Sequence, residues 1–320
     1  MDINYISSFI FAVVVAGTPL LFATLGEIIT QKGGNLNLGV EGMMYIGVAS
    51  GFTVAYYTKN PILFILAAVG SGVLASMIYA LLTVTLKANQ TVTGLALTIF
   101  GTGFANFVGE TITTNSPTRT AVLDAQFMSF FKPASIPGLS SIPILGKLLF
   151  QYNGFVYASL LIAITAGWFL YRNIHGLNLR AVGENAAAAD ASGINVARTK
   201  YLAIGFGGAM SGLAGAYIAV ITAGGTWTAN SVSGLGWIAV ALVIFAGWNP
   251  YKAIMGSVIF GALRVLRFYI PKQVVDIPNS LYGALPFVVT ALVIILTSVY
   301  NSKEIQQPSG CGINYDREER

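Results

Sequence analysis

Few side chains in this sequence could do chemistry. Within its apolar runs the ionisable residues stand out singly: Glu41, Arg264 and Arg267. A membrane-embedded hydrolase or a proton pump needs buried carboxylates, or a nucleophile beside a base, and three scattered groups do not supply them. His175 is the only histidine and lies in a polar stretch, so neither an H-E-x-x-H metal site nor a histidine relay can be built. Cys311 is the single cysteine, with no disulfide partner and no companions for a metal. No G-x-x-x-x-G-K-[ST] loop is present to cradle ATP phosphates, and no G-x-S-x-G elbow to raise a serine. Neither catalysis nor a cofactor or metal is expected of the chain, so any energy it uses comes from another protein.

The elements that carry these residues are membrane spans. Hydrophobic residues make up 55% of the 320 positions and charged residues only 9%, too little charge to keep a soluble domain of that length in solution. Net charge is +5, but Lys and Arg are scattered through short connections, which suits membrane topology and not a nucleic-acid partner. A span needs roughly 20 apolar residues. Such runs fall at 5–26, 36–58, 61–86, 91–109, 154–171, 201–223, 235–251, 253–270 and 277–302. The expected fold is an all-α polytopic transmembrane bundle of about nine to ten spans, forming one permease domain over 1–302 with a tail at 303–320. The first residues carry Asp2 and no Lys or Arg, unlike a secretory signal, so the first run is expected to be retained.

Arg172, Arg180, Arg198 and Lys200 make 172–200 the densest basic connection, which places it in the cytoplasm. Alternation then puts Lys32, Lys87, Lys252 and the tail inside, and the long connection 110–153 outside with the N-terminus. A short interfacial helix is expected at 142–150. Arg264 and Arg267, at i and i+3, share one face of the eighth span. At bilayer depth each costs about 2.5 to 3.5 kcal/mol, so they snorkel, line a wet cavity, or lie beyond the true span.

Two stretches read as broken helices. Residues 26–42 hold Gly33-Gly34, Asn35, Asn37 and two glutamates in otherwise spanning sequence. Residues 223–236 are rich in Gly, Ser and Thr and carry Trp227 and Asn230, with Trp237 just beyond. Non-helical backbone at such depth is tolerated only in contact with protein or water. The second stretch is either an outer loop or a re-entrant turn. Glu41 either lines a pathway or pairs with a backbone group, and Asn35 and Asn37 either contact a polar solute or satisfy the broken backbone. Trp227 and Trp237 could stack on a ring or anchor span ends at the interface. Gly205, Gly207, Gly208, Gly212 and Gly215 permit close helix packing. In the basic connection, Glu184 to Ala191 is alanine-rich with an acidic start and Gly193 as a stop, a pattern for a short helix whose small face fits a groove.

The segment 176–200, which opens Gly176-Leu-Asn-Leu-Arg-Ala-Val-Gly-Glu-Asn185, the stretch Gly26-Glu-Ile-Ile29, the block Leu36-Asn-Leu-Gly-Val-Glu-Gly-Met-Met44, the run Gly236-Trp-Ile-Ala-Val-Ala-Leu-Val-Ile-Phe-Ala-Gly-Trp-Asn-Pro250 and the tail Gly312-Ile-Asn-Tyr-Asp-Arg-Glu318 carry a resemblance. Together they resemble the permeases of bacterial ABC importers for simple sugars and nucleosides, related to ribose and branched-chain amino-acid permeases. The likeness runs from about Gly17 to the C-terminus, and the Leu36 block and the ending Tyr315-Asp-Arg-Glu318 are most similar to the nucleoside type. It implies a multi-pass protein of the bacterial cell membrane, importing an uncharged polar solute. The implied partners are a cytoplasmic ABC ATPase, a second permease subunit, an external substrate-binding lipoprotein and membrane lipid. The helix matching Gly183–Gly193 would couple to the ATPase, through Arg180, Gly183, Glu184, Asn185, Asp190 and Gly193. The pathway would fall to Asn35, Asn37, Glu41, Trp227, Asn230 and Trp237. Ala186 and Ala187 depart from the basic or proline residue that relatives place after Glu-Asn.

Overall fold

The computed structural model describes residues 3–133, 151–269, 278–299 and 306–316. The interfacial helix expected at 142–150, the last residue of the eighth span, both ends of the ninth and Arg317-Glu318 lie outside them.

The described residues fold into α1 (Ile3–Lys32), α2 (Val40–Thr58), α3 (Pro61–Ala80, continued by a π turn Leu81–Thr85), α4 (Gln90–Asn115) and α5 (Ala125–Ser129). Then follow α6 (Gly154–Arg172), α7 (Ile174–Glu184), α8 (Ala186–Ala191), α9 (Val196–Tyr217, continued by a π turn Ile218–Thr222), α10 (Leu235–Phe245), α11 (Pro250–Tyr269) and α12 (Asn279–Val299). Asparagine starts many of them. The side chains of Asn60, Asn89, Asn153, Asn173, Asn185 and Asn195 each accept a backbone N–H in the first turn of the helix that follows. Each such cap is worth about 1 kcal/mol.

Eight of these helices have nineteen residues or more, and five are both long and apolar enough to cross a membrane. The all-α, multi-pass architecture read from composition therefore holds. Three boundaries differ. The second span begins at Val40, because residues 33–39 leave the helix at Gly34, whose φ of +85° suits glycine. The fourth helix runs to Asn115, into what was read as loop, and Glu110 there is exposed. The span read over 235–251 is only the eleven-residue α10, about 16 Å long, too short to cross alone.

The helix α9 is the hub, packed against α1, α2 and α3. Small residues permit this on each side. A methyl at Gly207 would overlap Thr30 of α1, one at Gly208 or Gly212 would overlap backbone of α3, and one at Gly215 would overlap the Met44 carbonyl of α2. Gly205 meets only the end of the Met77 side chain. In a bilayer, helices gain little from burying apolar surface against one another, so this close backbone approach is what holds the bundle. Antiparallel to α1, α11 packs with Gly17 against Ser257 and Gly261 against Val13. Arg264 donates to the Ala16 carbonyl at 3.3 Å, and the Arg267 guanidinium lies 4.4 Å from the Phe268 ring centre. Both arginines lie within about two helical turns of Tyr269, where α11 ends.

The bundle has two distinct ends. At one, Gly183 packs on Lys32 and Gly34, Lys87 pairs with Asp316, and Tyr251 covers Gly167. At the other, Lys59 pairs with Asp124 at 3.1 Å, and Tyr5 donates to the Tyr269 carbonyl at 2.6 Å.

Candidate functional site

The break after α1 lies at the first of these ends. Glu27 and Gln31 sit one turn apart on α1, so both point to the same face. Glu27 Oε1 accepts from Gln31 Nε2 at 2.9 Å and from the Asn37 N–H at 3.2 Å. Gln31 Oε1 in turn accepts from the Trp248 indole at 2.6 Å, which fixes the turn between α10 and α11. Asn37 Oδ1 accepts from the Gly39 N–H at 2.8 Å, so its carboxamide serves the bend itself. Leu36 is held on both sides: its N–H donates to Gln90 Oε1 at 2.7 Å, and its carbonyl accepts from Tyr79 at 2.7 Å. Asn35 is fully buried and donates to the Gly33 carbonyl at 3.4 Å, while its Oδ1 has no partner among the described residues. The N–H groups of Gly33, Gly34 and Asn35 return to α1 carbonyls, and those of Leu36, Asn37 and Gly39 find side-chain acceptors, so the interrupted backbone is bonded where the helix ends.

The stretch 223–234 starts at the opposite end. An isolated bridge joins Val122 to Thr226, with the Leu123 N–H on the Gly225 carbonyl at 2.8 Å and the Trp227 N–H on the Ala121 carbonyl at 2.9 Å. From there the chain descends. The Trp227 ring packs edge-on to Phe52 at 5.5 Å and fills the space beside Gly109, between α2 and α4. Seven residues later the Gly234 N–H donates to Glu41 Oε1 at 2.9 Å, and Gly236 packs on the Glu41 backbone. By helix rise, Glu41 lies about 25 Å along α2 from Thr58. Of the two readings the sequence left open, this is the re-entrant one. Asn230, Ser233 and Gly234 all have positive φ, at 58°, 42° and 81°. Asn230 is exposed, Trp237 is half-buried one residue past the Glu41 contact, and Glu41 Oε2 and Ser231 Oγ have no partner among the described residues.

The basic connection forms a capped pair of short helices. Glu184 is the last residue of α7, not the start of the next helix as its spacing suggested. Asn185 breaks the chain with an extended backbone and caps α8 by accepting from the Ala188 N–H at 2.9 Å. Gly193, φ +84°, ends α8 with its N–H on the Asp190 carbonyl. Ala189 turns inward against Val182 and Val196, leaving Ala187, Ala188 and Ala191 exposed as a small-residue face. The Arg180 guanidinium lies 5.5 Å from the Tyr171 ring centre. Gly183 sits so close to Lys32 and Gly34 that a methyl would overlap the Lys32 carbonyl.

Sequence reasoning counted Glu27 in the broken stretch without giving it a role, and missed Gln31, Gln90 and Trp248 as members of the break. The signal for Glu27 and Gln31 was available, as two polar residues four apart in an apolar helix. Gln90 and Trp248 reach the break from 54 and 217 residues away, and no local pattern announces that.

A family model described as the branched-chain amino acid transport system / permease component matches residues 9–296. The guanosine ABC transporter permease NupQ of Bacillus subtilis is 33% identical over 91% of this chain and 92% of its own length. The nucleoside ABC transporter permease NupC of Lactococcus lactis is 31% identical over 98% of both chains. A candidate glucose ABC transporter permease, TsgC13 of Haloferax volcanii, is 37% identical over 80% of this chain and 75% of its own. Among solved structures, a candidate metal-chelate type ABC transporter in an inward-facing conformation matches 90% of this chain and 84% of its own, with a TM-score of 0.50 at 11% identity, a likeness of fold alone.

Proposed function

Because this chain belongs to the family of branched-chain amino acid transport system permease components, we propose that it is the membrane-spanning subunit of an ATP-driven importer whose solute is a nucleoside. The observation that carries the substrate class is the likeness, over more than nine-tenths of each chain, to two permeases named for guanosine and nucleosides. A pathway with scarcely any charge, Glu41 apart, agrees with it, since an uncharged ring and ribose need hydrogen-bonding groups and not a counter-charge. The partners are a cytoplasmic ABC ATPase on which ATP is hydrolysed, a second permease subunit and an external binding lipoprotein.

The end carrying α7 and α8 faces the cytoplasm, following its excess of Lys and Arg, and residues 116–133 face outward. The pair α7–α8, with Arg180, Gly183, Glu184, Asn185, Asp190 and Gly193, is the coupling element. Its exposed alanine face at Ala187, Ala188 and Ala191 fits a groove on the ATPase. The passage runs along the re-entrant turn, with Glu41, Asn230 and Trp237 beside it, while Asn35, Asn37 and Trp227 shape its walls. Closure of the ATPase pair moves the coupling element, and the cavity between permease subunits changes the side to which it opens.

The test is uptake of labelled nucleosides and simple sugars by cells carrying the permease, its ATPase and its binding protein, with and without Ala187→Trp. Ala187 is exposed among the described residues, so the added indole projects from that surface, and membrane abundance is expected to hold while nucleoside uptake and ATPase co-purification are lost. Sugar uptake in place of nucleoside uptake would correct the solute. Uptake indifferent to the ATPase would overturn the reading.

A further inference from the structure

The tail returns to the bundle and touches three elements that are far apart in sequence. Ser309 donates from its N–H and its hydroxyl to Glu184 Oε2, both at 3.2 Å, and the Gly310 N–H donates to the Gly183 carbonyl at 2.9 Å. The Gly312 N–H reaches the Gly34 carbonyl at 3.3 Å, in the break itself. Asn314 Nδ2 donates to the carbonyls of Lys87 and Ala88 at 2.6 and 3.0 Å, while its Oδ1 accepts from Gln90 Nε2 at 3.0 Å. The Tyr315 hydroxyl donates to Asp190 Oδ2 at 2.9 Å, and its ring packs with Val182, Ala189 and Val196. Asp316 pairs with Lys87.

These contacts differ from those of a tail that merely lies on a surface. The helix α7 meets the break directly through Gly183, but α8 packs on α7 and α9 and reaches the break through the tail. That route is continuous and polar: Asp190 to Tyr315, then along the backbone to Asn314, then Gln90, whose other amide atom holds the Leu36 N–H. One side chain, Gln90, therefore bonds the tail with its nitrogen and the break with its oxygen. A displacement of α8 cannot leave Leu36 undisturbed unless one of these bonds breaks.

We propose that residues 309–316 are a strap that transmits movement of α8 to the break between α1 and α2, with Tyr315 and Asn314 as its positioning residues. The proposal rests on the reading of α7–α8 as the coupling element. Neither residue touches the solute or the ATPase; each acts by holding α8 and the α3–α4 connection at a fixed distance. Loss of either leaves both ends of the coupling path intact and removes one bonded link between them, so ATP is hydrolysed with less transport.

The experiment uses the whole importer, permease with ATPase and binding protein, in proteoliposomes, and reads solute transported per ATP hydrolysed. Tyr315→Phe keeps the ring and removes one hydrogen bond; Asn314→Ala removes three. Hydrolysis is expected to stay within about twofold while the transport ratio falls about fivefold for Tyr315→Phe, the change one hydrogen bond supplies, and further for Asn314→Ala. A purely structural role would lower hydrolysis and transport together and leave the ratio fixed, and that result in Tyr315→Phe overturns the strap. If Asn314→Ala fails to assemble, Tyr315→Phe decides alone, because its ring packing is preserved. Transport that needs no ATP in the unaltered importer would overturn the transport reading instead, and the two failures are distinct.

Discussion

Residues 33–39 and residues 223–234 both interrupt spanning sequence with Gly and Asn, and on composition they look alike. In the structure they are opposites. The first is tied to α1, α3, α4 and the turn after α10 by side chains that are themselves bonded, and Asn35 and Asn37 are buried in it. The second is held by a short bridge at one end, the buried Val232, and a Glu41 hydrogen bond at the other, with exposed residues and positive φ between. The same residue types make a densely hydrogen-bonded joint where buried polar partners surround them, and a turn with fewer bonds where they do not.

The sharpest way to break this contrast is at Glu27. Glu27→Leu leaves Gln31 Nε2 and the Asn37 N–H without an acceptor, and about 3 kcal/mol of stability should be lost, read as a large drop in the melting temperature in detergent. A smaller separation is expected from thiol labelling. Burial pushes the Cys311 thiol, one residue from the contact with Gly183, up to about 11 from an ordinary 9.0. The thiolate is the reactive form, so at pH 7 the folded chain should be alkylated about a hundredfold more slowly than Ala229→Cys, placed on the exposed re-entrant turn with Cys311→Ser. Raising the pH should keep accelerating Cys311 past pH 9, because its titration is displaced upward. Equal rates would show that the tail is not docked. The smallest effect belongs to Glu41. Glu41→Ala should cost about 1 kcal/mol and speed amide exchange at Gly234, whereas Glu41→Gln, which keeps an acceptor, should match the parent. A loss at Glu41→Ala as large as that at Glu27→Leu would erase the distinction between the two regions.

Much of the fold was legible because the bilayer imposes one dominant rule. Backbone must be satisfied within helices, so long apolar runs announce themselves, and Asn residues at their starts announce the caps. The short helix at Ala186–Ala191 was legible for the same local reason, although Glu184 was placed on the wrong side of its break; Asn185 was the better cap and took that place. The run 235–251 misled because hydropathy counts apolar residues and not helical turns. Leu235 to Trp248 is apolar throughout, yet Gly247 and Trp248 have positive φ and end the helix.

By itself the sequence determined that this is a polytopic helical membrane protein, and which short segments leave the helix, because those properties are set by local composition and by the cost of unsatisfied backbone in lipid. Only the tertiary structure decided which break is densely bonded and which is not, that the Trp227 ring fills the space beside Gly109, and that the tail bonds both α8 and the break. Those outcomes depend on partners such as Trp248 to Gln31 and Asn314 to Gln90, 217 and 224 residues apart, and hydrogen bonds between such distant residues have no local signature.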